Sequence, residues 1–271
     1  MKRIELKRAF GSKGFYFGVA AGLLLAITHF FMYAVPQMSQ MDVILNMNKP
    51  YLMIYSCYQM WLGADAYNLQ SFLLASLLPV LAALPYGASY FEDVKGGYIK
   101  NVYIRSKRRD YLTAKYAAAF LSGGVVASFP LVVSFLLSSA AFPMLVPQQS
   151  TLAFPIGQSS MMGELFYTHP LCYVVIYIMI DFIYGGLFAV LALVFSFFTE
   201  HRYIVVTFPF ILHLFIYSAS NLLGNISSSG VYFLQPGFGS SLSIYVFGEM
   251  IFLFVITGVV YFWKGTKDDI F

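Results

Sequence analysis

The sequence predicts an all-α integral membrane protein with six transmembrane helices. Three observations predict it. The 271 residues are 59% hydrophobic and only 10% charged, with a mean hydropathy of +0.74, whereas soluble domains carry about 25% charge. Six apolar stretches approach or exceed the roughly 20 residues that a helix needs to cross a bilayer. Lysine and arginine are distributed with a strong bias that six crossings explain and five or seven would not. Disorder is excluded, because it needs low hydrophobicity and high charge. A β-barrel is excluded by stretches twice the length of a barrel strand and apolar on all sides.

The stretches are Phe15–Val35, Ser71–Phe91, Tyr116–Phe142 with Pro130 inside, Pro170–Phe198, Tyr203–Leu223 with Pro209 inside, and Ile244–Trp263. The first is too long for the apolar part of a cleaved signal and lacks a small-residue cleavage pattern, so it reads as a retained span. Lys2, Arg3, Lys7, Arg8 and Lys13 precede it. Lys95, Lys100, Arg105, Lys107, Arg108, Arg109 and Lys115 fall between spans two and three. Arg202 lies between spans four and five, Lys264 and Lys267 follow span six, and only Lys49 falls on the other side. Both termini are therefore expected in the cytoplasm of a plasma-membrane protein. The net charge of +4 is accounted for by orientation and by anionic inner-leaflet lipid, and it implies no nucleic acid.

The chain reads as a single transmembrane domain over 1–271. Residues 1–14 interleave basic residues with Ile4, Leu6, Ala9 and Phe10, which fits an amphipathic interfacial helix or an ordinary charged flank. The first outer segment, 36–70, holds Tyr51, Tyr55, Tyr58 and Trp61, suited either to headgroup level or to a packed cap. In the cytoplasmic segment 92–115, Tyr98, Ile99, Val102 and Tyr103 recur on one face of a short helix. Gly96 and Gly97 supply the turn before it, and Asp110 suits a cap for span three. The outer segment 224–243 carries no charge and is rich in glycine, serine and aromatics. Irregular backbone at membrane depth survives only against protein or water.

Catalytic motifs are missing from the sequence. The dipeptide Gly-Lys does not occur, so there is no Walker A loop, and neither His-Glu-x-x-His nor Gly-x-Ser-x-Gly is present. No cofactor is expected on this chain, and it does not read as an enzyme. Asp181, His213 and Glu249, with His29 a fourth, are ionisable residues inside spans, either functional or neutralised in the bundle. Gly14, Gly18 and Gly22 repeat on one helix face, for contact within the bundle or between protomers. Cys57 and Cys172 both fall on the outer side, as free thiols or a disulfide.

A basic N-terminal stretch, Glu5-Leu-Lys-Arg-Ala-Phe10, leads into span one. A long outer loop follows, then a cytoplasmic segment containing Gly96-Gly97-Tyr-Ile99-Lys-Asn101, Arg105, Arg108-Arg109, Tyr111 and Lys115. In this, and in length and topology over the whole chain, the sequence resembles the membrane-spanning permease subunit of ABC exporters of the ABC-2 type. The resemblance implies an N-terminal elbow helix on the inner membrane surface. It also implies a coupling helix between spans two and three, at Gly97–Ile104, that docks on a separate ATPase subunit. Tyr98, Ile99, Val102 and Tyr103 would be its contact face, with Gly97 and Arg105 at its ends. ATP and magnesium would sit on that ATPase, and a second permease copy or a related permease would complete the assembly through spans one and five. Short helices over the exit path would occupy 224–243. The run Arg105-Ser-Lys-Arg-Arg departs from many relatives in lacking a proline, which leaves the register of the coupling helix open. The nearly uncharged spans favour amphipathic or hydrophobic cargo. A proton-coupled transporter using Asp181, Glu249 or His213 is the competing reading, and a non-transporting scaffold or sensor is the third.

Overall fold

The computed structural model describes residues 1–46, 55–65, 67–148, 156–157, 160–239 and 242–267, with backbone alone over 41–46. Lys49 and Tyr51 lie outside the described residues. Every regular element among these residues is helical. They are α1 (Lys2–Phe10), α2 (Lys13–His29), a π-helical turn (Phe30–Ala34), α3 (Val35–Asn46), α4 (Leu69–Ala83), α5 (Ser89–Lys95) and α6 (Tyr98–Arg105). Then follow α7 (Arg108–Ala141), α8 (Gly163–Thr168), α9 (Pro170–Phe195), α10 (Arg202–Leu222), α11 (Gly230–Phe233) and α12 (Ser243–Lys267). Five continuous helices are long and apolar enough to cross a membrane: Lys13–Gln40, Arg108–Ala141, Pro170–Phe195, Arg202–Leu222 and Ser243–Lys267.

Two expected boundaries are corrected. The second apolar stretch is not one long helix. It forms the 15-residue α4, about 22 Å long at 1.5 Å per residue, and breaks at Leu84-Pro85-Tyr86-Gly87-Ala88 before α5. Leu84 keeps helical geometry and its amide still bonds to the Val80 carbonyl, but Pro85 has no amide proton to continue the ladder. The first span does not stop at Pro36. The Val35 amide bonds back to the Phe30 carbonyl, five residues away, and this wide turn leaves room for the proline ring as the helix continues into α3. Asp110 is not the cap of α7 either. Lys107 holds that position and Asp110 lies in the first turn, where its charge suits the helix dipole.

The centre of the bundle is the crossing of α7 and α9. Gly123 and Gly185 face each other so closely that a Cβ on Gly123 would sit 2.7 Å from the Gly185 carbonyl oxygen and 2.4 Å from the Ala189 Cβ. Only glycine admits this approach. The Gly14, Gly18 and Gly22 face is used in the same way within the chain. It packs on the Leu84 carbonyl, on Val126 and on Pro130, so α2 runs alongside α7 and opposite to α4. It is an intramolecular packing face.

The basic segments gather at one end. Arg8 pairs with Asp93, Arg202 with Glu92 at 3.1 Å, and the Arg108 Nε donates to the Gly265 carbonyl at 2.6 Å. At the other end, residues 55–65 form a packed cap with Tyr58 and Trp61 buried. Irregular backbone needs partners there. Ser134 Oγ accepts from the Leu62 amide (2.9 Å), and Ser71 Oγ and Ser138 Oγ donate to the Leu62 and Met60 carbonyls (2.8 and 2.7 Å). The uncharged outer segment folds back along α10 as short helical turns, so that Gly230 of α11 rests on the His213 ring.

Both cysteines are free, Cys57 buried under the cap and Cys172 exposed. Burial pushes the Cys57 thiol from 9.0 up to about 11, which leaves it roughly a hundredfold poorer in thiolate. A maleimide applied to the folded protein is expected to label Cys172, and Cys57 only after unfolding. Equal labelling rates, read by intact mass, would show that the cap is not closed.

Candidate functional site

Six polar side chains from four parts of the chain meet at the basic end. Glu5 and Arg8 are one turn apart on α1. Tyr86 lies in the break after α4, and Asp93 is on α5. Tyr111 and Lys115, again one turn apart, lie near the start of α7. Asp93 is the hub. It receives a two-pronged hydrogen bond from Arg8 (2.6 and 3.1 Å), one from the Tyr111 hydroxyl (2.6 Å) and one from the Lys115 ammonium (2.6 Å). Glu5 accepts from Tyr86, lies 3.3 Å from Arg8 and 3.6 Å from Lys115.

Two cations and two anions balance. Lys115 and Glu5 have 0% side-chain exposure, so neither charge has water to fall back on. Burial pushes the Asp93 carboxyl up, but the Arg8 hydrogen bond and the Lys115 charge outweigh it and hold it below its ordinary value. The hydrogen bond to Asp93 in turn raises Arg8. The arrangement is a joint: it ties the N-terminal helix, the α5–α6 hairpin and the base of α7 into one body.

α6 hangs from this joint. Gly97 precedes it at φ 67°, a left-handed conformation that costs a side chain dearly and glycine nothing. Ile99 (0% exposed) and Val102 are buried with Ala9, Tyr90, Tyr111 and Leu112. The Tyr103 ring packs edge-on to Tyr111 at 5.8 Å. Three of the four residues on the expected contact face thus pack inward. The surface that α6 offers is built by Tyr98, Asn101, Ile104 (79% exposed) and Arg105.

Beside the joint, Arg8, Ser12, Lys13, Leu84, Arg202 and Val206 help to line a groove of about 760 Å³ between the α1–α2 turn, α4 and α10. It sets cationic groups beside an apolar wall; Glu92 also lines it and pairs with Arg202, and Arg8 is held by Asp93, which leaves Lys13 as the cation with no ion pair among the described residues.

The intramembrane candidates lie on four different helices. Asp181 is buried on α9, and His213 is buried on α10 against Phe188 and Gly230. Glu249 is half-buried on α12. His29 is buried and reaches Asp65 at 3.2 Å. No hydrogen bond or ion pair joins these four residues to one another, although Asp181 and Glu249 both act electrostatically on Tyr184. Among the described residues no three His, Cys, Asp or Glu side chains gather as a metal site would require.

Sequence reading missed the joint. Tyr86 and Asp93 carried no motif, and Glu5, Arg8, Tyr111 and Lys115 entered only within the stretches that resemble ABC-2 permeases, with no contact expected among them. One signal was available: Glu5–Arg8 and Tyr111–Lys115 have the spacing of same-face helix pairs, beside a span where an unpaired charge is costly. No family model, no curated protein and no solved structure matches the chain.

Proposed function

We propose that this chain is the permease subunit of an ATP-driven exporter of the ABC-2 type and that its partner ATPase docks on the outward face of α6. The observation that carries the reading is the buried ionic joint. A docking helix can move a membrane bundle only if something stiff connects the two, and the joint fixes the α5–α6 hairpin to α1 and to the base of the central helix α7. A push on Tyr98, Asn101, Ile104 and Arg105 is then delivered to α7 rather than absorbed locally. ATP and magnesium belong to the partner, whose binding cycle biases the bundle between two states by its differential affinity for them.

In this reading α4, with the break that follows it, makes the sixth crossing, and both termini lie in the cytoplasm at the plasma membrane. The glycine face is occupied within the chain, so a second permease would meet the other sides of α2 and α10, where Phe17, Leu24, Ile211 and Phe215 are exposed. The groove beside Lys13 and Arg202 supports an amphipathic cargo, whose charged end would face the cations and whose apolar part would face Leu84 and Val206.

Co-purification from the native host in mild detergent tests the reading. The parent chain is expected to bring down an ATPase. Ile104→Asp with Arg105→Glu should lose it while leaving thermal stability nearly unchanged, because exposed substitutions shift stability by only about 0.5 kcal/mol. An ATPase retained at parental yield by this double variant would move docking away from α6.

A further inference from the structure

We propose that Asp181 is protonated and shares one bound water with Gln235, forming a polar latch that fastens the outer segment to α9. The inference rests on the fold and is independent of the transport reading.

Asp181 is 2% exposed, and no described residue gives its carboxyl a hydrogen bond. Gln235, in the outer segment just after α11, donates its Nε2 to the Val231 carbonyl at 3.1 Å, while its Oε1 is buried without a partner. Both residues line the same cavity of about 20 Å³, with Ser71 the third polar residue and Leu74, Leu78 and Leu131 among the apolar ones. Ser71 Oγ already donates to the Leu62 carbonyl at 2.8 Å, and its lone pairs remain able to accept.

Two independent facts converge here. An isolated ionised carboxylate is very costly in such surroundings and takes up a proton instead. A cavity holds a water when it offers about 10–15 Å³ and two to four polar partners. A protonated Asp181 supplies the donor that such a water needs. The water in turn donates to Gln235 Oε1 and to Ser71 Oγ. The proton comes from bulk solvent, and the carboxyl O–H is the one covalent bond formed.

Among the described residues no other charge is placed to take over this role. On the neighbouring elements, Asp65 contacts His29 and Lys115 belongs to the ionic joint. His213 packs on Phe188, and Tyr184, on α9 itself, donates to the Val246 carbonyl at 2.7 Å. Glu249, on α12, does not line the cavity. The latch acts where the outer segment is already fastened to the cap, since the Gly237 amide donates to the Gly63 carbonyl at 3.2 Å. Together the two contacts hold residues 235–237 down on the cap and α9.

Infrared spectroscopy of the purified protein at neutral pH tests this. The parent should show the carbonyl band of a protonated carboxyl, absent from Asp181→Asn. In Gln235→Leu the band should persist but move to higher frequency as the bridging hydrogen bond is lost. Should Asp181→Asn fail to fold, carboxyl-¹³C aspartate in the parent chain assigns the band without that variant. Melting temperatures should be equal in sodium and potassium chloride. The proposal is overturned by a missing protonated band, by a band that Gln235→Leu leaves unmoved, or by a sodium-specific stabilisation that Asp181→Asn abolishes. The last result would make the site an ionised carboxylate holding a cation.

Discussion

Lys115→Met is expected to destabilise the protein by about 3–5 kcal/mol, the usual effect of removing one partner from a buried ionic group. The substitution keeps most of the side-chain volume, so packing changes little. What changes is charge. Asp93 and Glu5 remain, with Arg8 alone against them, and two anions face each other in a buried site. Adding Glu5→Gln restores the balance, because Arg8 and Asp93 then stand as a closed pair. The double variant should recover at least half of the loss, although the two residues lie on different helices. Thermal unfolding in detergent, followed by circular dichroism, reads both. A Lys115→Met protein as stable as the parent would show that the joint does not hold these elements together.

The acid dependence follows from the same contacts. The Asp93 carboxyl titrates below its ordinary value of 3.8. Its contribution is therefore fully present above that value and is lost only as pH falls further, through the folded-state titration. Lowering the pH from 7 to 5 should leave this contribution untouched. Asp93→Asn should lose it at every pH.

The second large effect is at the α7–α9 crossing. Gly185→Ala would place a Cβ 2.4 Å from the Ala127 Cβ and 2.8 Å from the Gly123 carbonyl oxygen. Both helices must separate, and overpacking of this kind costs about 1–3 kcal/mol, occasionally more. Gly258→Ala on α12 is the control. A Cβ there meets nothing within 4 Å, and removing a helical glycine gains up to about 1 kcal/mol. The two variants should move the melting temperature in opposite directions. Equal shifts would mean that the crossing is looser than its geometry.

These expectations also show what could be read without coordinates. The long apolar helices were legible because crossing lipid demands a run of apolar residues that few other structures tolerate, and α9, α10 and α12 begin close to where hydropathy places them. Charged ends were harder. α7 starts at Arg108, well before the apolar run at Tyr116, because the basic residues ride on a helical extension. Pro85 and Pro36 look alike to a hydropathy scan, yet a break follows the turn at one and a π turn absorbs the other. The apolar spacing of Tyr98, Ile99, Val102 and Tyr103 did locate a helix face. Periodicity names a buried face without saying what buries it, and here Ile99, Val102 and Tyr103 pack into this chain. The joint was illegible for a simpler reason. Residues 5, 8, 86, 93, 111 and 115 are brought together only by tertiary structure, and no local spacing records that meeting.

The most direct test of the central claim is photocrosslinking in the native membrane from a benzophenone amino acid at position 104, with position 256 on α12 as the comparison. Both residues are exposed, one on the outward face of α6 and the other on a span. Mass spectrometry of the adducts identifies the neighbour of each. The account predicts a nucleotide-binding ATPase bearing a Walker A loop at position 104 and none at position 256. No such protein at position 104, or the same adducts from both positions, would contradict it.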